Sequence, residues 1–424
     1  MIQRIAMLFI FAITYYFIIR GSHRTSVIVF LMGLIIALGR IIENVKMEHI
    51  GFIVDFNTIG LLMGMMILVG LLKSTGFFQY IAIRTVKLGG GSFPRTILFL
   101  CATVAICSAF LDNVTTILLF SPVFFLISDT LDIDASPLIM LSILSANIGG
   151  TATMIGDPPN ILIGSASGLS FVSFLGHLSP IVFIAFLITM LSFKKYLKAK
   201  TRAKDGLQNF LATDPSTVIV DKPLLKKLLI VFGCVLLGFI FHETLDYEMS
   251  LIALTGAAVG LLISKKSFEE IAQEIEWDTL FFFVGLFTIT FALEDVGIIS
   301  YVTKFIGGIR TEWLLSLALV WIAGLCATFI GAVPTTVAMI PVVRGLLASG
   351  ANPVIWWALA LGACLGGNGS TIGAAANIVG VSLMNKHTSQ KIGFASFFRQ
   401  AFPLTISYLA VSSAYILFLE FTGW

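Results

Sequence analysis

Two acidic residues sit where an ionised carboxylate is costly. Leu111 to Thr116 reads L-D-N-V-T-T and Gly149 to Asn160 reads G-G-T-A-T-M-I-G-D-P-P-N, each inside a strongly apolar stretch. An acid inside a membrane segment is a candidate for proton or cation coupling, so Asp112 and Asp157 are the coupling candidates. They are the only acids that the sequence places near the membrane centre. Each also has a structural reading, as the N-cap of the helix that follows it. Around them Asn113, Thr115, Thr116, Asn147, Thr151, Thr153 and Asn160 offer amides and hydroxyls. Carbonyls freed at a helix break, together with hydroxyls, suit Na⁺ or another hard cation.

The second motif returns 217 positions later as G-G-N-G-S-T-I-G-A-A-A-N, Gly366 to Asn377. Asn368, Ser370, Thr371 and Asn377 repeat the polar character, but Ala374 stands where Asp157 stood. Thr115 and Thr116 return 220 later as Thr335 and Thr336, and Thr58, Gly64, Gly76 and Tyr80 return 221 later as Thr279, Gly285, Gly297 and Tyr301. A near-constant offset over three regions marks an internal repeat. Amides and hydroxyls from both copies, with no arginine among them, suit a small neutral or weakly charged solute.

Such residues need elements that carry them into a membrane. The 424 residues are 58% hydrophobic and 12% charged, with a mean hydropathy of +1.00. That excludes a soluble domain, and nucleic acid is not an expected partner. A hydrocarbon layer of about 30 Å takes roughly 20 apolar residues per helix, and about a dozen such stretches are present. The expected fold is an all-α polytopic membrane protein. Its two repeats each contain a helical hairpin and a transmembrane helix broken at glycine and proline. Residues 1–193 form the first repeat, 194–224 a basic linker and 225–424 the second repeat. Residues 5–19 read as a retained helix.

Segments 94–128 and 313–347 are too short for two full crossings and have polar centres. They read as re-entrant hairpins, with paired short helices as the alternative. With ten other crossings, Arg20, Arg24, Lys73, Arg84, Lys87, Arg95, the basic residues from Lys194 to Lys227, Lys265, Lys266, Lys386, Lys391 and Arg399 share one face. The positive-inside rule makes that face cytoplasmic. The repeats are then inverted, the basic loop is cytoplasmic and both termini are extracytoplasmic. Residues 77–88 and 298–309 are amphipathic and read as interfacial arms. Five cysteines without C-x-x-C spacing read as reduced packing residues, although Cys364 lies beside the second motif.

At L-D-N-V-T-T, N-I-G-G-T-A-T-M-I-G-D-P-P-N and C-L-G-G-N-G-S-T-I-G-A-A-A-N the chain resembles the ion transporter superfamily. The resemblance is to the branch holding arsenical pump membrane proteins, sodium/proton antiporters and the pink-eyed dilution (P) protein. It implies inverted repeats, an elevator-like movement against a scaffold that often dimerises, and a prokaryotic inner membrane. It further implies arsenite or antimonite efflux driven by proton antiport, in some members with a soluble ATPase subunit. Related dicarboxylate carriers hold carboxylates at Ser-Asn-Thr hairpin tips, whereas the tips here read Asp112-Asn113-Val114 and Val333-Pro334-Thr335. The leading expectation is therefore arsenite/antimonite efflux, with Asp112 or Asp157 carrying the proton. A Na⁺/H⁺ antiporter is the alternative, and an anion carrier or a channel stands further off. No cofactor beyond a coupling H⁺ or Na⁺ is expected. The chain has no H-E-x-x-H, nucleophile elbow or phosphate-binding loop, so an enzyme is not expected.

Overall fold

The computed structural model describes residues 2–20, 24–42, 44–199, 215–388 and 391–423, and among these every regular element is helical. The first half contains α1 (Ile2–Arg20), α2 (Thr25–Leu38), α3 (Phe56–Ser74), α4 (Phe77–Leu88), α5 (Phe93–Ser108), α6 (Asn113–Thr130), α7 (Ser136–Gly150), α8 (Pro158–Ser167) and α9 (Phe171–Ser192). The second repeats the order as α10 (Lys222–Leu245), α11 (Met249–Ser264), α12 (Trp277–Asp295), α13 (Ile298–Gly307), α14 (Glu312–Ile330), α15 (Ala332–Ala348), α16 (Ile355–Gly366), α17 (Ala375–His387) and α18 (Phe394–Thr422). Eight of these helices are long and apolar enough to cross a membrane, and several shorter apolar helices accompany them. Helix α10 starts at Lys222, inside the expected linker, because Asp221 accepts from Leu224 N at 2.9 Å and Pro223 suits the first turn. The central part of that linker, 200–214, lies outside the described residues.

The halves exchange partners. Helix α3 of the first half packs on α11 of the second, and α12 of the second packs on α2 of the first. Small residues permit both close approaches. A Cβ on Gly64 would stand 2.7 Å from the Ala253 carbonyl carbon, and one on Gly285 would stand 2.5 Å from Val29 O. The polar contacts at the helix starts match as well: Ser250 N donates to Asn57 Oδ1 at 3.2 Å, and Ser26 Oγ donates to Asp278 Oδ1 at 2.9 Å. Residue i of one copy meeting j of the other, and j meeting i, is what a two-fold relation produces.

Helices α5 and α6 form one hairpin, and α14 and α15 the other. The turns are Ala109–Asp112 and the single residue Gly331, whose φ of +107° is open to glycine and not to β-branched neighbours. Each hairpin packs on the first segment of the broken helix of its own half, α7 or α16, whereas the restarting segments cross over, α8 onto α15 and α17 onto α6. Arms α4 and α13 join these units to α3 and α12, each entered through a glycine of positive φ, Gly76 at +82° and Gly297 at +78°.

Candidate functional site

The breaks are built by glycine and closed by asparagine. In the first half a Cβ on Gly149 would collide with the Ala105 backbone, and one on Gly156 would lie 2.7 Å from Ser108 O, so the break nests against the hairpin. Helix α7 stops at Gly150, the chain turns through 151–157, and α8 restarts at Pro158, which needs no N–H there. The carbonyls freed by the turn are taken up by Asn160, whose Nδ2 donates to Thr151 O at 3.0 Å and Thr153 O at 2.9 Å. In the second half Asn377 Nδ2 donates to Gly367 O at 2.8 Å and Ser370 O at 2.7 Å. Unpaired carbonyls in hydrocarbon are costly, and these amides remove the cost.

The two asparagines also join the halves. Asn147 Nδ2 donates to Asn377 Oδ1 at 2.7 Å and to Asn368 Oδ1 at 3.2 Å. In the reciprocal pair Cys364, which occupies the place of Asn147 in the second copy, donates its thiol to Asn160 Oδ1 at 3.3 Å.

Between the hairpin tips and the breaks lies a cavity of about 380 Å³. The N-termini of α6, α8, α15 and α17 border it through Asp112 to Val114, Asp157 and Pro158, Gly331 to Pro334, and Gly373 to Ala376. Its mouth is formed by Thr25 and Ser26 at the start of α2 and by Glu276, Asp278 and Thr279 at the start of α12. Four carboxyl groups therefore face one cavity, and among the described residues no lysine, arginine or histidine lines it. The carboxyls ring the space without converging: among the described residues no three His, Cys, Asp or Glu side chains group closely enough to hold a metal ion. Like charges confined in a low-dielectric space attract protons or cations.

Of the residues expected from sequence, Asp112, Asn113 and Asp157 line the cavity. Asp112 is also an N-cap, with Oδ1 accepting from Thr115 N at 2.7 Å. Asp157 starts α8 without a side-chain cap bond. Asn113 Oδ1 accepts from Ser108 Oγ at 2.6 Å.

The other expected residues stand behind the lining. The hydroxyls of Thr116, Thr151 and Thr336 return to carbonyls one turn earlier, those of Asp112, Asn147 and Ala332, all at 2.9 Å. Thr153 Oγ1 donates to Ala109 O, and Ser370 Oγ to Thr328 O at 2.5 Å, tying each break to its hairpin tip. Asn368 Nδ2 bonds Leu365 O at 3.1 Å. Thr335 is buried and its hydroxyl has no partner, as is also true of Asn147 Oδ1. Thr115 and Thr371 are half-buried and outside the cavity wall.

Glu276 and Asp278 escaped the sequence reading because they stand at the edge of an apolar segment, where an acid reads as interfacial. The repeat offset carries the missing signal. Asp55-Phe56-Asn57-Thr58 returns 221 later as Glu276-Trp277-Asp278-Thr279. The contact is the same too: Thr58 Oγ1 donates to Asp55 Oδ2 at 2.6 Å, and Thr279 Oγ1 to Glu276 Oε2 at 2.9 Å.

Comparison with known proteins follows the same lines. Over 373 residues the chain is 37% identical to an uncharacterized transporter of Mycobacterium tuberculosis, covering 86% of both chains. It is 36% identical over 372 residues to the 46 kDa membrane protein of Mycobacterium leprae, again covering 86% of each. The P protein of Mus musculus is 31% identical over 494 residues, an alignment that takes in 95% of this chain and 58% of the mouse protein. The crystal structure of the Alcanivorax borkumensis YdaH transporter, reported to have an unusual topology, is similar in fold. Its TM-score is 0.60 at 15% identity, covering 87% of this chain and 86% of that one. Residues 6–362 match the CitMHS family, described as citrate transporter. With apolar helices, broken segments and relatives of this kind, the chain is an integral membrane transporter and belongs to the CitMHS citrate transporter family.

Proposed function

We propose that the protein is a secondary active transporter in which protons and a small cation compete for the carboxyls of the central cavity, giving Na⁺/H⁺ antiport. The observation that carries this reading is the cavity wall, with Asp112, Asp157, Glu276 and Asp278 and, among the described residues, no cationic side chain. Carboxyls that bind either a proton or a metal cation, but not both, exchange one for the other across a membrane when the cavity opens to each side in turn. An elevator-like movement of the hairpins and broken helices against α1–α3 and α10–α12 supplies that alternation. The reciprocal packing of the halves supports it, because two equivalent arrangements are available to one two-fold fold. Under the positive-inside orientation the present cavity mouth, beside Arg24 and the start of α12, faces the cytoplasm.

Export of arsenite or antimonite as the neutral trihydroxide in exchange for protons is the second reading. Cys364 favours it, since a thiol one hydrogen bond from Asn160 could meet a thiophilic solute. Against it, the amides and hydroxyls expected to hold that solute are mostly occupied by backbone carbonyls. A free tricarboxylate such as citrate, the solute in the family's description, would face four carboxyls and no cationic side chain among the described residues of the wall.

Purified protein in proteoliposomes under an imposed pH gradient separates the three. The expected result is dissipation of ΔpH on adding Na⁺ or Li⁺, without ATP or any partner. Dissipation by arsenite or citrate alone, with none by Na⁺ or Li⁺, would overturn the cation reading.

A further inference from the structure

Each arm hinge is held by a donor from outside its own half, one from the linker and one from the opposite half. The carbonyls just before the hinge glycines, Thr75 O and Val296 O, occupy equivalent places in the repeat. Thr75 O accepts from Val220 N at 3.0 Å, and Val220 belongs to the segment leading into α10. Val296 O accepts from Arg4 Nε at 2.8 Å, and Arg4 belongs to the first turns of α1. Arg4 Nη1 also donates to Tyr301 Oη on arm α13 at 3.0 Å, with its guanidinium 5.5 Å from that ring.

The two holds are built differently. The Arg4 hold is a side chain at an exposed position, and Gly297 has open space around it apart from that guanidinium. At Gly76 a Cβ would collide with Val218 O and approach Ile219 Cα at 3.4 Å, so main chain lies directly over the hinge. The turn Pro215–Val218 also packs along arm α4, with Pro215 buried. Segment 215–220 is therefore a strap across the first hinge, attached to the linker that connects the halves.

We infer that strap 215–220 is a latch on arm α4, so that the linker between the halves governs how readily the first hairpin unit moves. Hinge glycines of positive φ supply the freedom to swing. Swinging about Gly76 changes the direction of the Thr75 carbonyl and so requires the Val220 N–H to let go. The second hinge, held only by a side chain, swings without displacing main chain. The latch rests on the fold and its hinges. Its link to turnover rests on the transport reading above.

Hydrogen exchange on the full-length protein in nanodiscs tests it. Val220→Pro removes the donor. Exchange across 77–88 is expected to rise by about fivefold, the equivalent of one hydrogen bond, with 298–307 unchanged. Gly76→Ala, which pushes the strap off by contact, should act in the same direction, and Val220→Ala, which keeps the N–H, should match the parent. Arg4→Met should do the reverse, loosening 298–307 and leaving 77–88 as it was. Equal exchange at 77–88 in Val220→Pro and parent, with melting unchanged, overturns the latch, as does a uniform rise across both arms. Loss of ion-coupled transport in the parent would sink the functional reading and leave this exchange pattern intact.

Discussion

Replacing Asn377 by alanine distinguishes an amide that pins a helix break from one that binds solute. The side chain makes three hydrogen bonds: to Gly367 O at 2.8 Å, to Ser370 O at 2.7 Å, and from Asn147 Nδ2 at 2.7 Å. Side-chain hydrogen bonds within membrane bundles are worth about 0.6–1.7 kcal/mol each. Losing three costs about 2–5 kcal/mol, which at about 2 °C per kcal/mol for a chain of this size lowers Tm by about 4–10 °C. Asn160→Ala loses an equivalent set, two carbonyl bonds and the Cys364 thiol, and should fall in the same range. Asn147→Ala loses donors but also removes an unpartnered buried oxygen, so its drop should be about 2 °C. Melting of the purified proteins in detergent without added solute gives the order directly. An Asn377→Ala protein with Tm within about 1 °C of the parent and a KM raised about tenfold would refute the argument and return Asn377 to the solute.

Asp112 and Asp157 should separate charge from capping. Asp112→Asn and Asp157→Asn are both expected to abolish ΔpH-coupled transport without a shift in melting, since asparagine still caps α6 and Asp157 makes no cap bond. Asp112→Ala should lose transport and also lower Tm by about 2 °C, from a cap worth about 1 kcal/mol. Gly64→Ala and Gly285→Ala press a methyl onto main chain of the opposite half and should each destabilise by about 1–3 kcal/mol, read as melting, while Gly51→Ala, with open space around it, serves as the neutral control.

The architecture was legible because it is written twice. The offsets near 217 to 221 mark hairpins, breaks and arms in the sequence itself, and the helices fall on the expected segments. The roles of the polar residues were harder to read. Asn160 and Asn377 have the same composition as solute ligands, and only the count of carbonyls released by each turn reveals that their donors are already used. Those carbonyls sit within ten residues of the amides, but the partners that join the halves, 147 with 377 and 160 with 364, are more than 200 residues away in sequence. Glu276 and Asp278 were hidden for a different reason. Hydropathy assigns an acid at the start of a span to the water interface, whereas here hairpin tips and breaks come up to meet it and enclose the space.

The unequal halves bear on what that space can hold. The N-termini of α6, α8, α15 and α17 face it, each with about half a positive charge. In the first half Asp112 and Asp157 stand at those termini and offset them, leaving net negative charge. In the second half the corresponding residues are Ala332 and Ala374, so the termini of α15 and α17 keep their partial positive charge. The hairpin tips and breaks are therefore unequal across the two-fold relation, acidic in the first half and neutral in the second, while the second half brings its carboxyls, Glu276 and Asp278, from the start of α12. A neutral or weakly anionic group has its favourable place at the second-half termini, beside Gly331 to Pro334 and Gly373 to Ala376. Coupling ion and solute need not compete for one point in such a space. If both are carried, the Asp112 and Asp157 variants should change the ion dependence of transport before they change the affinity for the solute.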